Sequence, residues 1–166
     1  MKTRALALLI VLIAFSTVNT YNYQAKQTSR TIDYIRLLKP NLDPKIAELH
    51  AKEIDKASEK WKVKKELIVS VAFRESEFNS CAVSSEGAVG CMQVLPRAHK
   101  DKIRARRLLP GEIFLLENNY DIGTEILHDL LKEKSLSKAL RGYVGGSHPT
   151  YIADVRRNLK RCQEYR

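Results

Sequence analysis

The chain of 166 residues reads as a single all-α domain of about six helices. Three observations predict this. Apolar residues recur at helical spacing, as in Ile46, Leu49, Ile54 and Ala57, and again in Ile68, Val71 and Ala72. No stretch sustains the alternation of a half-buried strand, and there are no internal repeats or low-complexity tracts. Proline, glycine and capping residues break the apolar stretches where helices would start and stop. The length is enough to bury a core without staples, and 44% hydrophobic and 29% charged residues are ordinary for a folded domain.

The first twenty residues stand apart. Lys2 and Arg4 precede an unbroken apolar run from Ala5 to Phe15, closed by Ser16, Thr17, Asn19 and Thr20. The run falls well short of the roughly 20 residues that span a bilayer, so it reads as a secretory signal. Ala14-Phe15-Ser16 and Val18-Asn19-Thr20 offer small residues for cleavage, and no Cys follows, as lipid attachment would need. An uncleaved signal anchor is the alternative, and the one route to a stable membrane span. Residues 1–20 are thus expected to direct the chain to the periplasm or the exterior. Residues 21–40 read as a linker or short helix, with Ile32, Ile35, Leu37 and Leu38 as a brief apolar patch, and residues 41–166 as the folded domain.

Within that domain, Asp43 can cap a helix that Pro44 opens, running to about Trp61. A second, more apolar helix spans about Lys65 to Glu75. Residues 79–90 form a loop of Ser, Asn and Gly. Arg97 to Leu109 reads as a helix bounded by Pro110-Gly111. Asn118 or Asn119 can cap the next, which carries Ile122, Ile126, Leu127, Leu130 and Leu131 and runs to Lys134. Ser135 or Ser137 caps a helix through Tyr143, stopped by Gly145-Gly146 and Pro149, and a last one covers about Thr150 to Gln163.

The formal net charge is +10. Losing residues 1–20 would remove two of the 29 basic residues and none of the 19 acidic ones, leaving +8. Such a balance expects an anionic partner: nucleic acid, acidic lipid or a wall polymer. Six Lys/Arg concentrate in residues 97–107, and Arg156, Arg157, Lys160 and Arg161 form a second cluster. Each is either a solvated helix face or a polyanion contact. No aromatics interleave with them and no helix-turn-helix or zinc-finger spacing occurs, which speaks against specific nucleic-acid binding. His50, His99, His128 and His148 are scattered, and Cys81, Cys91 and Cys162 lack metal-site spacing, so neither metal nor cofactor is expected. Cys81 and Cys91 flank a short loop and could pair, although any pairing with Cys162 is equally open.

Glu75 carries the chemistry. With Ile68, Val71 and Ala72 it completes an i, i+3, i+4, i+7 stripe, so a helix here runs its apolar face into a carboxylate. Burial disfavours the charged form and raises the pKa, which suits a general acid at neutral pH.

The residues from Glu75 onward carry a resemblance. Glu75-Ser76-x-Phe78-Asn79, Ala82-Val83-Ser84, Gly87-Ala88-x-Gly90-x-Met92-Gln93 and Pro96 resemble the signature of soluble lytic transglycosylases, lysozyme-like enzymes that cleave peptidoglycan. Asn119-x-x-x-Gly123-x-x-x-Leu127 is similar to the family's second motif. Ala139 to Gly146 resembles its AYNAG motif, and Tyr151-Ile152-x-x-Val155 its closing helix. Four motifs in order, from about Ile54 to Val155, make the resemblance specific.

The resemblance implies a lysozyme-like domain, expected to be monomeric, that acts on peptidoglycan glycan strands. Glu75 would protonate the oxygen between N-acetylmuramic acid and N-acetylglucosamine. It would then act as base on the muramoyl 6-hydroxyl, giving a 1,6-anhydro end without a second carboxylate. Tyr143 would lie near the acid as a second catalytic group. Ser84, Gly87, Gly90, Met92, Gln93 and Asn119 match the family's substrate-binding positions. Val144 stands where the family has Asn, and Cys91 where it has Leu. Two unusual cysteines in one cleft loop suggest a Cys81–Cys91 disulfide that would rigidify it. A hydrolytic muramidase on the same fold and a non-catalytic wall-binding assembly factor are the competing readings. Wall turnover and local wall opening for a secretion, conjugation or phage apparatus would all use the same chemistry.

Overall fold

The helical periodicity is realised as seven α-helices and one 3-10 turn in a computed structural model that describes Thr20 and residues 25–146 and 148–165. They are α1 (residues 25–38), α2 (Pro44–Trp61), α3 (Lys65–Ser76), α4 (Lys100–Ala105), the 3-10 turn Glu112–Phe114, α5 (Leu116–Glu133), α6 (Leu136–Val144) and α7 (Pro149–Glu164). Among the described residues the only β pairing is a pair of isolated bridges, Val83 with Val89 and Val89 with Val94. The apolar run of residues 5–15 and the proposed cleavage sites lie outside the described residues, apart from Thr20. No described helix is long and apolar enough to cross a membrane.

Helix α2 starts as its sequence dictates. Asp43 accepts hydrogen bonds from the backbone N–H of Lys45 (2.8 Å) and Ile46 (3.2 Å), and Pro44 occupies the first turn. Helix α3 is the centre of the molecule. Six consecutive residues, Leu67 to Ala72, are buried, so it is enclosed on all sides rather than along one stripe. It packs against α2 and α7, while α5 packs against α2 and α6.

Residues 25–38 do more than lead into this core. Tyr34, Ile35 and Leu38 are buried in it. Thr31 donates to Asp55 Oδ1 at 2.6 Å, and Lys65 bridges Asp55 (3.0 Å) to the Gln27 side chain (2.8 Å), tying α1 to α2 and α3.

The basic run at 97–107 folds differently from its sequence pattern. Its helix is confined to Lys100–Ala105 and buries no residue. Lys102 pairs with Glu125 (3.0 Å) and Asp129 (2.7 Å), and Arg106 with Asp121 and Glu125 (both 2.7 Å), so these two cations dock the segment onto α5. Trp61 joins them by donating its indole N–H to Asp121 at 2.6 Å. In the second cluster, Arg157 pairs with Asp154 and Lys160 with Glu164. The anticipated cap of α5 also moves. The helix begins at Leu116 behind Leu115, and the Asn118 side chain donates instead to the Glu112 carbonyl at 2.9 Å.

Because Ile68 is fully buried in the helix that carries Glu75, Ile68→Ala should lower unfolding free energy by about 2–5 kcal/mol. Urea denaturation should show the midpoint falling with the slope unchanged.

Candidate active site

Glu75 sits in the last turn of α3, and the chain's exit from that helix fixes its surroundings. Glu77 and Phe78 both adopt left-handed backbone (φ 52° and 65°), which stops the helix at Ser76. A non-glycine residue there costs about 1–2 kcal/mol. Burial of the Phe78 ring, about 1.5–3 kcal/mol, offsets it. That ring lies edge-on to His50, centres 5.5 Å apart, and tilted against Phe73 at 5.9 Å. His50 is itself buried and kept neutral, its pKa pushed down to about 4 by burial against a hydrogen bond to the Phe78 backbone. Its Nδ1 lies 2.7 Å from the Tyr120 hydroxyl.

The Glu75 carboxyl is half-buried, and burial pushes its pKa from 4.5 up to about 7. Two groups pull the other way: Tyr151, whose hydroxyl donates to Glu75 Oε1 at 2.6 Å, and the neighbouring Arg74 cation. Neither prevails over burial. Tyr151 is 4% exposed on the first turn of α7, which Pro149 opens. Burial and the Glu75 charge hold its phenol far above its ordinary pKa, so it remains a donor.

A loop from Cys81 to Val94 faces this end of α3. Ser76 Oγ donates to the Cys91 carbonyl at 2.9 Å, joining helix to loop. Ser84 and Ala88 close a tight turn: Ser84 N–H donates to the Ala88 carbonyl (2.9 Å) and Ser84 Oγ accepts from Ala88 N–H (3.0 Å). Gly87 (φ 80°) makes that turn possible. Asn119 pins the loop from beneath. Its Oδ1 accepts from Met92 N–H (2.8 Å), and its Nδ2 donates to the carbonyls of Val89 (2.9 Å) and Ile113 (3.0 Å). Gly90 (φ 77°) lies so close that a Cβ there would overlap the Asn119 amide. Tyr143 donates to the Met92 carbonyl at 2.8 Å.

The structure thus sets a half-buried acid at the end of a core helix, a tyrosine of the last helix on it and a glycine-turned loop alongside. The family model described as the transglycosylase SLT domain matches residues 52–161. The chain belongs to the transglycosylase SLT family.

Similar proteins carry consistent names. The membrane-bound lytic murein transglycosylase C of Serratia proteamaculans is 40% identical over 95 residues, covering 54% of this chain and 26% of that protein. Its namesake from Yersinia pestis is 34% identical over 118 residues, covering 64% and 33%. The chain therefore spans about a quarter to a third of the length of these relatives. Among solved structures, the 70 kDa soluble lytic transglycosylase of Escherichia coli superposes with a TM-score of 0.53 at 18% identity, over 84% of this chain and 25% of that one. An inactive glutamate-to-glutamine mutant of the lytic transglycosylase Slt from Pseudomonas aeruginosa gives 0.53 at 17%, over 74% and 23%. These likenesses establish the lysozyme-like transglycosylase fold.

Within that SLT domain the residues singled out from the sequence divide into three groups. Glu75 forms the first, a carboxyl whose pKa burial raises. Ser84, Gly87 and Gln93 lie on the loop at positions that are not fully enclosed. Gln93 spends its Nε2 on the carbonyls of Gly90 (3.0 Å) and Ala82 (3.3 Å), and its Oε1 accepts no hydrogen bond from any described residue. Gly90, Met92 and Asn119 are buried. All of the Asn119 amide is committed to backbone, and Met92 packs over Gly123, where a Cβ would come within 2.6 Å of it. These three hold the loop from behind rather than offering a face to a sugar. Tyr143 likewise is bonded to the loop, and the hydroxyl on Glu75 is that of Tyr151. The closing-helix motif contained Tyr151, and the signal was its position: a tyrosine at the head of the stripe Tyr151, Val155, Cys162, as Glu75 ends its own.

The cysteines do not form the anticipated bridge in this structure. All three are free thiols. Cys81 is exposed, whereas Cys91 is fully buried with Sγ 3.8 Å from His50 Nδ1, its pKa pushed up to about 12. The loop is fixed by Asn119 and Ser76 instead. Glu77 and Glu86, the next two acids along the chain, are both exposed and paired, with Lys39 (3.2 Å) and Arg97 (2.9 Å).

The raised Glu75 pKa has a stability consequence. Above about 4.5 the unfolded chain ionises this group while the folded one retains the proton, so its contribution to stability is complete below about 4.5 and is lost as pH rises through about 7. Glu75→Gln removes that loss. The variant should match the wild type near pH 4 and exceed it near pH 8 by up to about 3 kcal/mol in urea denaturation; a pH-independent difference would contradict the assignment.

Proposed function

We propose that this domain is a peptidoglycan lytic transglycosylase of the cell envelope, cleaving between N-acetylmuramic acid and N-acetylglucosamine with formation of a 1,6-anhydro end. The observation that carries the reading is the Glu75 carboxyl: half-buried, with a pKa near 7 and a tyrosine bonded to one oxygen. A carboxyl poised at that pKa can give and take a proton at neutral pH. Among the described residues, none of the groups acting on it is a second carboxylate. Ordinary glycosidases need such a pair, as nucleophile or as base for water; a single acid suits a reaction whose nucleophile is the sugar's own hydroxyl.

Tyr151 occupies Oε1, so Oε2 carries the proton to the glycosidic oxygen. As that bond opens, charge appears on Glu75, and the Tyr151 hydroxyl stabilises it without surrendering its own proton. The carboxylate then takes the proton from the muramoyl 6-hydroxyl while O6 bonds to the anomeric carbon. No water enters, and the acid is regenerated. Gln93 Oε1 and the Ser84 turn are the loop groups available to sugar N–H and hydroxyl donors. Tyr143 serves the site through the Met92 carbonyl, and burial, then the Glu75 charge, raises its pKa. The membrane-bound relatives agree with a place at the cell envelope, where the polyanionic wall meets a chain of net charge +10.

Digestion of purified sacculi followed by mass spectrometry tests this. Wild-type protein should release muropeptides lighter by one water than hydrolysis products, with activity falling as pH rises past about 7. Glu75→Gln should reduce the rate by about 10²–10⁴-fold. Reducing ends would identify a hydrolase, and undiminished cleavage by the variant would remove Glu75 from the mechanism.

A further inference from the structure

Arg74 and Glu75 reach the same tyrosine from different sides. Glu75 meets the Tyr151 hydroxyl, while the Arg74 guanidinium lies over the Tyr151 ring, 5.5 Å from its centre. Arg74 Nε donates to Asp154 Oδ2 at 3.1 Å, and Asp154 is held in turn by Arg157 at 2.7 Å. These contacts use one face of the guanidinium and its Nε edge. Nη1 and Nη2 make no hydrogen bond to any described residue, and the side chain is 39% exposed. The Arg74 charge lowers the Glu75 pKa, but its Nη prongs take no part in proton transfer by Glu75.

A guanidinium held by its face and one edge, with its outer prongs open, is arranged for a planar anion. Two parallel N–H donors match a carboxylate, and prior ordering lowers the entropy lost on binding. The proposed substrate supplies such groups where they are needed. The peptide stem hangs from the muramoyl residue, the sugar whose bond Glu75 would break, and it bears free carboxylates. From this arrangement we infer that Arg74 binds a carboxylate of the peptide stem beside the scissile bond, and so selects stem-bearing, anionic glycan over neutral strands. The inference rests on the proposed transglycosylase reading and names a specificity determinant for it. The competing role is a brace: Arg74 stacked on Tyr151 and tied to Asp154 could serve only to hold α7 against α3.

The test compares two forms of one substrate, glycan strands with stem carboxylates free and the same strands amidated. The wild type should cleave the free form faster. Arg74→Gln should shrink that preference by about tenfold, the scale of one charge-assisted hydrogen bond, chiefly through KM. Arg74→Lys, which keeps charge without the planar fork, should retain part of it. Lys160→Gln removes an exposed cation from the other end of α7, ion-paired among the described residues with Glu164 at 3.7 Å, and should leave the preference intact. Equal slowing of Arg74→Gln on both substrates would reduce Arg74 to a brace. Equal erosion by Lys160→Gln would assign the preference to overall charge, and indifference of the wild type to amidation would overturn the inference outright. Each of these leaves the catalytic reading standing provided Glu75→Gln is inactive; a fully active Glu75→Gln sinks that reading instead.

Discussion

The hydrogen bond from Tyr151 to Glu75, 2.6 Å long, joins the central helix to the last one at the proposed catalytic carboxyl. Its two ends are opposed in effect. The bond favours the carboxylate, and so does Arg74; removal from water favours the neutral acid and is the larger influence. Had the bond prevailed, Glu75 would be ionised throughout the physiological range and useless as a proton donor. Because burial prevails by a limited margin, the group rests near pH 7 and both protonation states remain accessible. The rest of the structure maintains that margin: α3 enclosed on all sides, α7 packed along it, and a chain reversal that directs the backbone away immediately after Ser76.

That reversal depends on packing rather than on glycine. Glu77 and Phe78 hold left-handed backbone because the Phe78 ring is inserted between His50 and Phe73. The loop beyond follows the same logic. A buried amide, Asn119, satisfies one N–H and two carbonyls that would otherwise be stranded in the core, each at a cost of about 1–3 kcal/mol. The loop is therefore rigid without a covalent link, and Cys91 can remain a buried thiol turned toward His50.

Much of this was legible in the sequence, and what was not has physical reasons. Ile68, Val71, Ala72 and Glu75 announced both the helix and its odd carboxyl, since helical period and acid chemistry are local properties. Gly87 and Gly90 announced the turns for the same reason. Asn119 was misplaced because a polar side chain on an amphipathic helix reads alike whether it faces a sugar or a stranded backbone carbonyl. The hydroxyl on Glu75 belongs to Tyr151, 76 positions away, rather than Tyr143, and that distinction is made by how α7 docks on α3. The basic run at 97–107 reads as a free polycation until α5 brings Asp121, Glu125 and Asp129 against Lys102 and Arg106. In each case the missing information is a partner distant along the chain.

The proposed chemistry stands or falls on the acidity of one group. Carboxyl carbon-13 chemical shifts of Glu75, followed across pH in the wild type and assigned by comparison with Glu75→Gln, measure it directly. A titration midpoint of about 7 is the expected result. A midpoint at the ordinary value of 4.5 would contradict the role assigned to Glu75.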